Sequence, residues 1–169
     1  MSRSERAADA ADERAARVVA ALAGRGETVA AAESLTAGLV TAAITRIAGS
    51  SAVLRGGLVV YATDLKASLA GVDAALLAEH GAVHPEVARQ LAEGARARCG
   101  ATWGLGLTGV AGPDPQDGAA PGTVHLGLAG PTGPVVRTVT LGGGRHEVRA
   151  GSVAAALDLL LEHLGGRAP

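Results

Sequence analysis

Apolar residues recur at helical spacing over residues 4–24, where Ala8, Ala11, Ala15, Val18, Val19 and Leu22 form one stripe and Gly24 and Gly26 close it. The short apolar run 28–33 then fits a buried strand, and Ser34 stands at its end. Helical spacing resumes over 36–47 through Leu39, Val40, Ala43, Ile44 and Ile47, until Gly49-Ser50-Ser51 breaks it. A second strand is predicted over 57–62, with Thr63 or Asp64 as cap for a helix starting at Leu65. Asp73 caps a short helix through Glu79. Gly81 ends it, and Pro85 suits the first turn of a helix running to Cys99. A third strand over 102–107 leads into a long loop, 108–122. Residues 123–129 and 135–141 read as a hairpin across 130–133, and 145–164 as a final helix.

Strands that alternate with helices and then give way to a hairpin predict an α/β fold: a three-layer α/β/α sandwich with a mixed sheet. No repeat and no linker interrupts it, so residues 1–169 read as a single domain. Only the last five residues or so are expected to fray.

Composition narrows the function. Hydrophobic residues make up 48% and charged residues 18%, which is the balance of a folded globular chain. With no Phe, one Trp and one Tyr, the core must be aliphatic, and the rings that stack on single-stranded nucleic acid are missing. A formal net charge of -1 without a basic block excludes a dedicated nucleic-acid surface. No stretch has the length and apolarity of a membrane span, and the acid-bearing N-terminus is no secretory signal. The lone Cys99 fits a reducing compartment, and the expected location is the cytoplasm.

Lys66 is the only lysine, against 14 arginines. Arginine keeps its proton in a protein, whereas a lysine releases it once its surroundings push it down from about 10.4. Lys66 is therefore either a general base or a surface lysine retained by chance. Ser34, at a strand-to-helix turn, is either a nucleophile beside free helix amides or, like Thr36, a helix cap. Tyr61 closes the second strand and shares the sheet edge with Ser34 and Lys66. It either relays a proton or is a half-buried strand tyrosine.

Thr108-Gly109-Val110-Ala111-Gly112 has glycines that either let backbone amides approach a ligand or belong to an ordinary strand-ending loop. Gly49-Ser50-Ser51 is either a similar donor set or an ordinary turn. Arg145 and Arg149, four apart on one helix face, either hold a phosphate or carboxylate or form a solvated face. His80 and His84 have i,i+4 spacing, but Gly81 and Pro85 break the helix between them. No metal site is expected, and all five histidines are read as structural or solvated. Gly104-Leu105-Gly106 lacks the pattern of a dinucleotide fold.

The ordered series Ala32-Glu-Ser-Leu-Thr-Ala-Gly-Leu39, Gly49-Ser-Ser-Ala-Val53, Arg55-Gly-Gly-Leu-Val-Val-Tyr61, Lys66, Gly81-Ala-Val83, Leu107-Thr-Gly-Val-Ala-Gly-Pro113 and Gly122-Thr-Val124 resembles the CinA C-terminal domain family, over about residues 10–164. The resemblance implies an α/β/α layered fold and an amidohydrolase of the nicotinamide-nucleotide amidase type. Such an enzyme converts nicotinamide mononucleotide to nicotinate mononucleotide and ammonia without metal or other cofactor, in pyridine nucleotide salvage. It implies Ser34 as nucleophile, Lys66 as general base and Tyr61 as its assistant. Thr36, Ser50, Thr108, Gly109, Arg145 and Arg149 fall in the implied substrate-binding set. It also implies self-association, a dimer being favoured.

The rival readings are a non-catalytic nucleotide- or protein-binding module of the competence/damage-inducible type, and an amidase for another substrate. Departures from the family pattern are Leu35-Thr36-Ala37 for Cys-Thr-Gly, Asp114-Pro-Gln-Asp117 for a glycine-rich run, Gly144 for an acid and His84 for a serine. The two loop acids are expected to face solvent. No counterpart of the N-terminal molybdopterin-binding-like domain of longer relatives is seen, so a stand-alone form is expected.

Overall fold

In the computed structural model, which describes residues 3–165 with side chains from Asp9 onward, every helix and strand of the sequence pattern is present. Residues 166–169, where fraying is expected, lie outside the described residues. The chain runs α1 (Arg3–Arg25), β1 (Val29–Glu33), α2 (Leu39–Thr45), a 3-10 turn (Ser50–Ala52), β2 (Leu54–Val59), α3 (Thr63–Ser68), α4 (Ala74–His80), α5 (Pro85–Cys99), β3 (Trp103–Gly109), β4 (Thr123–Gly130), β5 (Gly133–Thr140) and α6 (Arg145–Gly165). The sheet order is β2-β1-β3-β4-β5. β1 pairs in parallel with β2 and β3, while β3, β4 and β5 are antiparallel.

All five residues of β1 are buried, because both faces are covered. Val29 and Ala31 join the larger core, under α1, α2 and α6. Ala30 and Ala32 join a second cluster that packs against α3, α4 and α5. The edge strands β2 and β5 instead alternate between part-buried and exposed positions.

Period-two alternation in β3 has an unusual content. Trp103, Leu105 and Leu107 fill the larger core, while Gly104 and Gly106 face α5. A Cβ on Gly106 would stand 2.3 Å from the Ala88 carbonyl oxygen, and one on Gly127 of β4 2.1 Å from the same atom. The backbone of α5 therefore lies directly on a glycine strip. Gly104-Leu105-Gly106 is a packing device, which accounts for its lacking a nucleotide-binding pattern.

The predicted 36–47 helix is shorter than its apolar spacing suggests. Residues 34–38 form a turn instead, in which the Ala37 amide bonds the Ser34 carbonyl at 3.1 Å and Ala37 takes a φ of 45°. α2 begins only after Gly38, at φ 97°. β2 starts earlier than predicted and stops at Val59, which leaves Tyr61 beyond the strand and 58% exposed.

Candidate active site

Three parallel strands end at one edge of the sheet, and the connection reverses there: β1 leads to β2 on one side, while β3 lies on the other. Such a switch point leaves a crevice outside the strand ends. A cleft of about 420 Å³ fills it, within the size range of small-molecule sites. Ser34 and Leu35 after β1, Tyr61 after β2 and Lys66 from α3 line it. Ala82 and Val83 between α4 and α5, Thr108 and Gly109 at the end of β3, the 110–116 loop and Arg145 complete the wall.

Lys66 is the largest fully buried side chain among the described residues, at 1% exposure. Its Nζ donates to the Val60 carbonyl at 2.8 Å and the Tyr61 carbonyl at 3.1 Å. Burial pushes the amine down from the ordinary 10.5 to about 8, against the opposing pull of Asp117 and Asp64. The reading of Lys66 as a surface lysine is thereby removed. Two carbonyls match the two N–H bonds of a neutral amine and leave one tetrahedral position for its lone pair. Among the described residues Lys66 makes no hydrogen bond to Ser34, although both line the same cleft.

Ser34 is 8% exposed, and its amide bonds the Leu107 carbonyl at 3.0 Å, pinning the end of β1 to β3. Neither Ser34 nor Thr36 caps α2. That task falls to Glu33, at 1% exposure, whose carboxylate accepts from the Val40 amide at 2.8 Å and from the Thr41 amide and hydroxyl at 3.2 Å. The sequence reading gave Glu33 no role. Its signal was an acid at the end of an otherwise apolar buried run, which must find donors. Thr36 is fully buried, lies outside the residues lining the cleft, and its hydroxyl has no hydrogen-bond partner.

Arg145 is exposed and donates to the Gly112 carbonyl at 2.9 Å and the Tyr61 hydroxyl at 3.1 Å. Arg149 does not line the cleft. It donates to the Leu35 carbonyl at 2.8 Å and the Thr36 carbonyl at 3.4 Å, bracing the turn that carries Ser34. Thr108 donates to the Ala82 carbonyl at 2.7 Å. Ser50 opens the 3-10 turn beyond the far end of α2 and is not among the residues lining the cleft.

The two histidines of broken spacing do meet: the rings of His80 and His84 stack with centroids 4.6 Å apart. His84 caps α5 by accepting from the Glu86 amide. His125 is buried against the Thr138 hydroxyl at 2.8 Å, and burial lowers its pKa. Among the described residues no group of three or more His, Cys, Asp or Glu side chains is arranged to hold a metal ion. Among them, too, no helix is long and apolar enough to cross a membrane.

Comparison with known proteins places the chain by sequence and by fold. A family model described as the CinA C-terminal domain matches residues 11–164. A CinA-like protein of Frankia casuarinae is 50% identical over 149 residues, covering 88% of this chain and 34% of that protein. A CinA-like protein of Anaeromyxobacter dehalogenans is 52% identical, covering 85% of this chain and 35% of its own length. The chain thus spans about a third of the length of these curated relatives. Among solved structures, the competence/damage inducible protein CihA from Agrobacterium tumefaciens superposes with a TM-score of 0.87 at 36% identity, covering 92% of this chain and 96% of that one. The competence damage-inducible protein A (ComA) from Klebsiella pneumoniae gives 0.90 at 30% identity, covering 94% and 99%. By sequence over nearly its full length and by fold, the chain belongs to the CinA C-terminal domain family.

Proposed function

We propose that this cleft hydrolyses the carboxamide of nicotinamide mononucleotide, giving nicotinate mononucleotide and ammonia in pyridine nucleotide salvage. Ser34 is the nucleophile, Lys66 the general base and Tyr61 its assistant at the cleft mouth. One observation carries the reading: the single lysine of the chain is buried, held by two carbonyls, brought down to about 8, and shares a cleft with a serine that caps no helix.

In the first half-reaction the neutral Lys66 amine takes the Ser34 hydroxyl proton as Oγ attacks the carboxamide carbon. The resulting ammonium returns a proton to the departing nitrogen, which leaves as ammonia, and an ester on Ser34 remains. Water then attacks that ester, Lys66 accepts its proton, and Ser34 regains its own as the carboxylate leaves. The α2 amides of Val40 and Thr41 are taken up by Glu33, so the amides directly after Ser34, at Leu35 and Thr36, are the nearest in sequence for the oxyanion. Arg145, whose guanidinium meets only neutral acceptors among the described residues, supplies the charge for the phosphate. Thr108 and Gly109 form the wall. The reading gives Ser50 no part in this cleft, and Arg149 acts through the Leu35 and Thr36 carbonyls.

The test is ammonia release from nicotinamide mononucleotide by purified protein, with Ser34→Ala and Lys66→Arg beside it. Both variants are expected to lose about 1000-fold or more in kcat/KM. Full activity in Lys66→Arg, which keeps charge and not basicity, sinks the mechanism. Folded wild type that releases no ammonia moves the function to a nucleotide-binding module or another amide.

A further inference from the structure

Asp117 lies in the loop expected to carry only solvent-facing acids. Its residue is exposed, but its carboxylate turns inward and accepts from the amides of Ala82 at 2.9 Å and Val83 at 3.3 Å. It occupies the space in front of Gly81: a Cβ there would stand 2.5 Å from the Asp117 carboxyl carbon, and Gly81 takes a φ of +75°. The next peptide is held too, because Thr108 donates to the Ala82 carbonyl at 2.7 Å. Both backbone polar groups of Ala82 are thus committed, the amide to Asp117 and the carbonyl to Thr108. Ala82 and Val83 are themselves part of the wall.

We infer that Asp117 is a positioning residue of this cleft: its carboxylate, by accepting from both amides, pins the Ala82–Val83 wall. The groups around Lys66 are few. Asp64, on its own helix, is the other acid that acts on it. Tyr61, Asp114 and Arg145 share its cleft. Glu79 and His80 share a second hollow with Asp117, and the Asp117 charge holds the Lys66 amine up against burial. Removing the Asp117 charge leaves burial opposed by one acid fewer, so the amine gives up its proton at lower pH. The catalytic meaning of Asp117 rests on the amidase reading, but its effect on the amine and on the wall does not.

The single lysine makes a direct test available. Protein grown with carbon-13 lysine gives one lysine side-chain signal, assigned by its loss in Lys66→Arg, and its titration reads this amine alone. Asp117→Asn keeps an oxygen for the Ala82 amide and removes the charge. It is expected to lower the midpoint by about half a unit and to shift the rising limb of kcat/KM with it. Asp117→Ala is expected to lower the midpoint similarly and to raise KM for nicotinamide mononucleotide about threefold or more, since the wall loses its anchor. A KM and a lysine midpoint both unmoved in Asp117→Ala overturn the inference. Failure of the amidase reading shows separately, as wild type that releases no ammonia while the lysine midpoint still shifts.

Discussion

Arg145 donates to the Tyr61 hydroxyl at 3.1 Å, joining the first residue of α6 to the segment beyond β2. Its other arm reaches the Gly112 carbonyl at 2.9 Å. One cation therefore ties three segments that border the cleft, and its charge is matched by no carboxylate among the described residues. A guanidinium with only neutral acceptors keeps its charge for an anionic ligand.

Tyr61 and Arg145 should consequently act as a unit. Tyr61→Phe keeps the ring and removes the acceptor, and Arg145→Ala removes the charge. Each is expected to raise KM for nicotinamide mononucleotide, by about 3-fold and about 10-fold or more. In the double variant the loss should be smaller than the product of the two. Ammonia-release kinetics on the four proteins measure this, and strictly multiplicative effects would show that the pair does not cooperate.

Glu33 should govern stability more than any other residue of the site. Replacing it by Ala leaves the Val40 and Thr41 amides without their acceptor in a buried setting. The expected loss is about 2–4 kcal/mol in urea unfolding, against about 1 kcal/mol for Glu33→Gln, which keeps one oxygen. Equal losses in both variants would mean that the carboxylate charge, and not the acceptor geometry, holds α2.

The elements were legible because their periodicities were clean and their stops were Gly, Pro and Asp; Asp73 caps α4 as read, its carboxylate accepting from the Ala75 amide at 2.9 Å. Lys66 and Ser34 were legible as chemical types at a strand edge. What stayed hidden depends on direction in space. Apolar spacing ran a helix through Thr36, but Glu33 captures amides seven and eight residues on, so α2 starts later. Arg145 and Arg149 share a helix face in sequence, and one reaches the cleft mouth while the other turns back to Leu35. Asp117 reads as a loop acid because the amides that donate to it lie 34 and 35 positions away.

Ala37 stands at φ 45°, where a Cβ crowds the backbone. Ala37→Gly relieves that crowding, in part offset by the greater freedom of Gly in the unfolded chain. A net gain of about 0.5 kcal/mol in urea unfolding is expected, with activity retained. A loss of stability would mean that the methyl group contributes packing that outweighs its strain.

Lys66 makes stability depend on pH in a defined direction. Its folded value is about 8 and its ordinary value 10.5, so between these the unfolded chain binds more protons. The penalty for burying the ammonium is fully present below about pH 8 and disappears as pH rises to 10.5. The informative quantity is a difference, which isolates this one amine. Stability of wild type minus that of Lys66→Met should be flat below pH 8 and climb from 8 to 10.5, as read from urea midpoints. The same amine sets the enzyme, so kcat/KM should rise with pH along a limb centred near 8. A difference that stays flat to pH 10.5, or a limb well above 9, would mean that the amine remains charged in the folded protein and cannot take the Ser34 proton near neutrality.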